Sequence, residues 1–250
     1  VVFNTGMRGY VESLTDPSYR NQILVFTYPL IGNYGVQPKD TESKLIQVKG
    51  VIVNGLALQG SHQQSKASLL EWLRSQSIPI MFDVDTRALT KHLRSKGTMI
   101  GAMSTKPMNL RGQQLEPAYV TIDKPKLHNK QYSKQVILVD CGAKENILRS
   151  LLKLPVRVLQ VPRDYDYTNQ AYDGVVLSNG PGDPTDYPET IAITKKALQN
   201  NKPVFGICLG NQIMALAAGA KTYKLPFGHR GHNQPCMDTS NKLCYITSQN

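Results

Sequence analysis

The chain has 250 residues, 40% hydrophobic and 19% charged, which gives room for one or two domains with a core and excludes disordered, collagen-like and low-complexity classes. No apolar run approaches the roughly 18 residues of a membrane span and no basic-plus-apolar leader opens the chain, so neither a membrane nor secretion is supported. Lys and Arg number 29 against 18 Asp and Glu, but the excess is even, 14 to 9 in residues 1–125 and 15 to 9 in 126–250, so the clustered basic footprint of a nucleic-acid binder is missing.

Along the chain, Val-Val-Phe at the start reads as a strand, and the chain stops at Asn250 just after the strand-like Leu243–Ser248, so both ends read as cut. Val48–Val53 is strand-like. Lys66–Arg74 puts Leu69, Leu70 and Leu73 on one helical face. Ile78–Val84 is a strand, Thr86–Arg94 a short amphipathic helix closed near Gly97, and Thr98–Met103 is again apolar. The polar stretch Lys124–Lys134 has one Pro and no apolar periodicity and reads as a linker between a domain at 1–125 and one at 135–250.

The second half alternates regularly. Strands are expected at Val136–Asp140, Val156–Val161, Gly174–Ser178 and Pro203–Ile207, and helices at Lys144–Leu154, Pro188–Asn200 and Asn211–Ala218. Such alternation gives an α/β fold with a parallel sheet, whose chemistry sits beyond the carboxyl ends of its strands. Two loops fall at that edge.

The sharper is Gly206-Ile207-Cys208-Leu209-Gly210-Asn211-Gln212. A buried strand ends, a cysteine follows between two glycines, and a helix begins, which is the pattern of a nucleophile elbow. The tight turn projects the sulfur from the sheet edge, and the glycines allow close backbone approach. The helix points its positive end at the thiol and favours thiolate, while its first N–H groups can hold an oxyanion. Two glycines at fixed places arise by chance about once in 200. The second loop, Ser178-Asn179-Gly180-Pro181-Gly182-Asp183-Pro184, is a rigid turn whose amides can bind a carbonyl or carboxylate oxygen opposite Cys208.

Cys141, Cys236 and Cys244 lack this context and read as structural, Cys141 after a strand, Cys236 in an irregular segment and Cys244 in a strand. No C-x2–4-C spacing and no His-Glu-x-x-His pattern occurs among the cysteines and the five histidines (His62, His92, His128, His229, His232), so a metal site is not expected. Reduced thiols fit a cytoplasmic protein.

Together the two loops resemble the class I glutamine amidotransferases. Phe227-Gly228-His229-Arg230-Gly231-His232-Asn233-Gln234-Pro235 and Thr247-Ser248-Gln249-Asn250 narrow the resemblance to the glutaminase part of carbamoyl-phosphate synthetase. In the first half, Phe3-Asn4-Thr5-Gly6-Met7, Gly9-Tyr10, Leu14-Thr15-Asp16-Pro17-Ser18-Tyr19, Ile31-Gly32-Asn33-Tyr34-Gly35 and Val84-Asp85-Thr86-Arg87 look like its small-chain N-terminal domain. Arg230–Pro235 looks closer to the fused eukaryotic pyrimidine-pathway enzymes. The resemblance implies a small-chain domain followed by a flavodoxin-like amidotransferase domain.

It also implies a reaction and its site. Cys208 would attack the side-chain amide of L-glutamine, release ammonia and leave a glutamyl thioester that water hydrolyses. Leu209 and Gly182 would offer N–H groups to the oxyanion. Ser18, Gly180, Gln212 and Asn250 match positions that hold the amino-acid end of glutamine, Ser18 reaching from the N-terminal domain. Ammonia would pass to a synthetase large subunit or fused synthetase region, where ATP and Mg would act, with no cofactor in this chain. The family's general-base His and its orienting Glu lie on a later His-Pro-Glu segment that none of the five histidines here matches, and Asn211 stands where many members carry His. The retained Cys208 argues against the ammonia-dependent branch. A glutaminase serving another synthase, and a non-catalytic interaction or allosteric module binding a small anion, are the alternative readings.

Overall fold

The apolar runs become strands and the amphipathic stretches helices. In order these are β1 (Val2–Asn4), α1 (Tyr10–Thr15), β2 (Ile23–Phe26), β3 (Leu30–Ile31), β4 (Gly50–Ile52), β5 (Gly55–Leu56), α2 (Leu69–Ser75), β6 (Ile80–Met81) and α3 (Thr86–Lys96). They continue as β7 (Lys126–His128), β8 (Gln135–Asp140), α4 (Glu145–Leu151), β9 (Arg157–Pro162), β10 (Gly174–Leu177), α5 (Pro188–Gln199), β11 (Val204–Gly206), α6 (Leu209–Ala217), β12 (Gly231–Met237) and β13 (Cys244–Gln249). The structure is a computed structural model that describes residues 1–110 and 118–250. It divides into two units, Val1–Leu115 with Lys224–Asn250, and Glu116–Tyr223. This differs from the two continuous blocks at 1–125 and 135–250, because the last segment of the chain packs with the first unit.

In that first unit, β1, β2, β4 and β6 form a parallel sheet in the order β1-β2-β4-β6. Alternate residues of each strand face opposite ways, so the sheet has two cores. One gathers Leu24, Phe26, Val51 and Val53 with Tyr10, Val11 and Leu14 of α1 and Leu69 and Leu73 of α2. The other gathers Phe3, Ile23, Val25 and Ile52 with Leu93 of α3 and with Phe227. Ser68 and Glu71 form a reciprocal capping box that starts α2. Asp85 caps α3 by accepting from the Ala88 N–H at 2.9 Å, and Gly97, at φ 87°, ends it. The terminal segment joins this unit through Thr5, whose N–H and hydroxyl donate to the Arg230 carbonyl at 3.0 and 2.9 Å, and through Phe3 and Phe227, whose rings lie 5.9 Å apart. Gly231 fits there because a Cβ would lie 2.4 Å from Thr5 Oγ1.

The second unit carries a five-stranded sheet in the order β11-β10-β8-β9-β7. Only β7 runs antiparallel, pairing Lys126, Leu127 and His128 with Gln160, Leu159 and Val158 of β9. The stretch expected to be a linker therefore holds the edge strand. Its residues are largely exposed, so backbone pairing rather than apolar burial places it. The helices divide between the two faces. Ile137, Val139, Val175 and Leu177 pack with α5 and α6 through Ile193, Ala197, Leu209 and Ile213. Leu138, Val158 and Val176 pack with Ile147, Leu148, Leu151 and Leu152 of and beside α4. This is the doubly wound α/β arrangement expected from the alternation. No helix of the described residues is long and apolar enough to cross a membrane.

Candidate active site

Strands β10 and β11 run parallel, with Leu177 beside Gly206 at their carboxyl ends. One residue on, the Ile207 N–H still donates to the Leu177 carbonyl at 2.9 Å. The chain then turns within a single residue. Cys208 adopts φ 53°, ψ −112°, a conformation an L-residue rarely takes, and α6 starts behind it with Asn211 and Gln212 donating to the Cys208 carbonyl. The side chain of Cys208 is exposed, so the elbow lifts the sulfur off the sheet edge.

The flanking glycines have no room to be anything else. A Cβ on Gly206 would lie 2.5 Å from the Asn211 nitrogen, and one on Gly210 would lie 2.3 Å from the Leu177 carbonyl oxygen. Both clashes are with backbone, which cannot swing aside as a side chain can. Gln212, in the second turn position of α6, is exposed on the same helix end.

The second loop lies against the elbow. A Cβ on Gly180 would come within 2.0 Å of the Cys141 carbonyl oxygen and 2.7 Å of Leu209 Cδ2, so Gly180 is wedged between the end of β8 and the residue that follows the cysteine. Gly182 is a glycine for a different reason. It has space around it, but its φ of 85° is left-handed. Neither the Leu209 nor the Gly182 N–H donates to a backbone carbonyl among the described residues.

Residues not singled out by their sequence context hold this loop in place. Ser178 and Asn179 are buried. Ser178 Oγ accepts from the Cys141 N–H at 2.9 Å and donates to the Asn179 carbonyl at 2.7 Å, and Asn179 Oδ1 accepts from the Lys144 N–H at 3.0 Å. Asp140, also buried, accepts from the Gly142 and Ala143 N–H groups at 2.9 Å and from Gln160 Nε2 at 2.8 Å. Tyr187 donates its hydroxyl to the Pro181 carbonyl at 2.8 Å. The quoted motif contains Ser178 and Asn179, and a buried polar pair at a strand end was the available signal.

The other cysteines separate by environment. Cys141 is fully buried, and burial, with the negative charge of Asp140 adding to it, pushes its thiol far above the ordinary range. It is an inert core residue, as expected. Cys236 lies in β12, which pairs with β13 despite Pro235 and a register shift between Gly231 and Gln234, where an irregular segment was expected. Cys236 pairs with Tyr245 and Cys244 with Met237, so the two thiols are neighbours in register on opposite faces of the hairpin and cannot bond to each other.

The remaining two site residues are in the first unit. Ser18 sits in a single 3-10 turn, Pro17–Tyr19, capped by Asp16, whose Oδ1 accepts from the Ser18 N–H at 2.9 Å. The other oxygen of the same carboxylate, Oδ2, accepts from Asn250 Nδ2. Asp16, itself buried, thus ties together Ser18 and Asn250 from near the two ends of the sequence. The sequence flagged both partners but not this carboxylate. Cys208, Leu209, Gln212, Gly180 and Gly182 are assembled in the second unit, and Ser18 and Asn250 in the first.

The family model for the carbamoyl-phosphate synthase small chain, CPSase domain, matches residues 1–103, and that for class I glutamine amidotransferase matches residues 137–250. The carbamoyl phosphate synthase small chain of Symbiobacterium thermophilum is 46% identical over 272 residues, covering all of this chain and 74% of its own length. The multifunctional protein CAD of Squalus acanthias is 44% identical over 269 residues, and the arginine-specific small chain of Neurospora crassa 43% over 278 residues. This chain spans 12% of the former and 60% of the latter. The fused eukaryotic type favoured by Arg230–Pro235 fits these matches. The chain belongs to the carbamoyl-phosphate synthase small-chain family, with a small-chain CPSase domain followed by a class I glutamine amidotransferase domain.

Proposed function

We propose that the chain is the glutamine-hydrolysing part of a carbamoyl-phosphate synthetase. The observation that carries this reading is the exposed Cys208 sulfur on a strained elbow, with the Gly180–Gly182 loop packed against the residue beside it. In this reading the Cys208 thiolate attacks the side-chain carbonyl carbon of L-glutamine. A C–S bond forms and the carbonyl π electrons move to oxygen. The N–H groups of Leu209 and Gly182 receive that oxyanion, a role that typically contributes about 10²–10³-fold for each donor. Collapse of the tetrahedral adduct breaks the C–N bond, and the nitrogen leaves with an added proton as ammonia. Water then attacks the thioester, releasing glutamate and returning the thiolate.

In this reading Gly180 and Gln212 bind the amino-acid end of the substrate. The proton carrier is the His of the later His-Pro-Glu segment implied by the family resemblance, and not one of the five histidines in this chain. Ammonia is consumed by a synthetase large subunit or fused synthetase region, the place of ATP and Mg in this scheme. A cytoplasmic location belongs to the same proposal, supported by four cysteines that form no disulfide among the described residues.

Acid-quenching the full-length protein with radiolabelled glutamine tests this. Label is expected on the Cys208 peptide, absent from Cys208→Ala, with ammonia-driven carbamoyl phosphate synthesis preserved in that variant. Equal label on several cysteines, or loss of both activities in a folded Cys208→Ala protein, overturns it.

A further inference from the structure

Because β8, β9, β10 and β11 all run in one direction, their amino ends also meet at one edge, opposite the elbow. A cavity of about 460 Å³ opens there. Gln135 begins β8, Arg157 begins β9, Asp173 precedes β10 and Lys202 precedes β11, and all four line it with Tyr172 and Asn200. The six-residue β8 separates this edge from the thiol's by about 17 Å, at roughly 3.3 Å per residue.

The walls are held by hydrogen bonds that engage Asp173, Gln135 and Asn200. Asp173 Oδ2 accepts from the Gln135 N–H at 2.7 Å, and the Asp173 N–H donates back to the Gln135 carbonyl at 2.8 Å. Gln135 Nε2 donates to the Ala171 carbonyl at 2.7 Å, and Asn200 Nδ2 to the Tyr172 hydroxyl at 3.4 Å. The two cations are not used in this way. No ion pair among the described residues engages Arg157 or Lys202, and Arg157 Nε is buried with no acceptor. A buried guanidinium nitrogen without an acceptor costs stability. With two cations and one carboxylate in its lining, the cavity is net positive.

We propose that this cavity is a second ligand site that binds a small oxyanion, the carboxylate or phosphate group of a metabolite, between Arg157 and Lys202. A planar guanidinium pairs with two oxygens of such a group, and a lysine ammonium adds a point charge. The volume lies within the roughly 300–1,000 Å³ of small-molecule sites. The site neither shares a residue with the Cys208 elbow nor depends on glutamine hydrolysis.

Phenylglyoxal modification of the full-length protein, read peptide by peptide, tests it at constant ionic strength set with NaCl. Inorganic phosphate and malonate are the probes. Arg157 labelling is expected to slow at least 5-fold with one or both, and Lys202→Gln, an exposed change, is expected to remove most of that protection. Protection by phosphate alone assigns a phosphate group, by malonate alone a carboxylate, and by both the shared oxyanion. Protection by neither, or equal protection in Lys202→Gln, overturns the site, as does an Arg157 that phenylglyoxal cannot reach.

Discussion

Replacing Gly180 by alanine probes the oxyanion loop more directly than replacing the nucleophile. The new Cβ would lie 2.0 Å from the Cys141 carbonyl oxygen and 2.7 Å from Leu209 Cδ2. Contacts below about 3 Å are not tolerated, so the loop must retreat from Cys141 by about 1 Å. The Cys141 side cannot yield, because its N–H is held by Ser178 and its side chain is in the core. Overpacking of this kind costs about 1–3 kcal/mol of stability. A displacement of about 1 Å at a reacting centre costs about 10²-fold in rate. Gly182→Ala is the matched comparison. Its nearest new neighbour is Asp186 Oδ2 at 3.8 Å, so only the left-handed φ penalises it, by roughly 1–2 kcal/mol. Gly219→Ala, at φ 89° with nothing within 4 Å, controls for that backbone term away from the site. The assay is carbamoyl phosphate synthesis by the full-length enzyme with glutamine and, separately, with ammonia. Gly180→Ala is expected to lower glutamine kcat/KM about 100-fold and spare ammonia use. Retention of glutamine activity within about 3-fold would refute the placement of this loop at the reacting centre.

Two further outcomes follow from the same packing. Asn179→Ala removes the acceptor that the Lys144 N–H uses, and is expected to destabilise the second unit by about 1–3 kcal/mol and lower kcat with glutamine about 10-fold. Asn179→Asp, which keeps the oxygen but buries a charge and loses the amide donor, is expected to be no better than Asn179→Ala in a steady-state assay. Burial raises the pKa of Cys141 above 9.0 and those of Tyr10, Tyr167 and Tyr187 above 10.0. The folded state therefore keeps protons that the unfolded chain gives up, so stability is intact below pH 9 and falls as pH rises beyond the unfolded values. Each group contributes up to about 1.4 kcal/mol per pH unit there. Thermal unfolding from pH 8 to 11 should show a falling midpoint, and a flat profile would contradict the burial of these groups.

The parallel strands of the second half were legible because each carries a short apolar run, and its helices because their apolar residues recur at helical spacing. What escaped was structure made by pairing. Lys126-Leu127-His128 is an edge strand with no apolar alternation, and only the backbone of β9 defines it. Gly231–Met237 is likewise a strand only because Cys244–Gln249 lies beside it. The Cys208 elbow was readable since glycine spacing encodes a steric fact, the absence of room for a side chain. Asp16 was not, because its bridging of Ser18 to Asn250 depends on contacts between residues 234 positions apart. The packing of Lys224–Asn250 with the first unit is hidden for the same reason.

The strain at Cys208 yields a test that separates a designed elbow from an incidental turn. A non-glycine residue at φ 53°, ψ −112° costs about 1–3 kcal/mol. The surroundings enforce it: the Ile207 N–H is held by Leu177, and Leu209 and Ile213 anchor α6 in the core. Cys208 is exposed, so removing its side chain forfeits little packing. Glycine normally destabilises an ordered position by roughly 0.5–1 kcal/mol relative to alanine, through its greater freedom when unfolded. At this position the order should invert. Cys208→Gly, freed of the strain, is expected to exceed Cys208→Ala in local stability by about 1 kcal/mol, although both lose glutamine use. Because the chain has two units, a global midpoint would blur the difference, and amide hydrogen exchange across residues 207–213 is the better measure. Slower exchange in the glycine variant would show that the protein holds its sulfur in place at a cost in stability. The ordinary ranking, alanine above glycine, would mean that the backbone relaxes here without penalty, and the elbow would lose its claim to be a device for presenting the thiol.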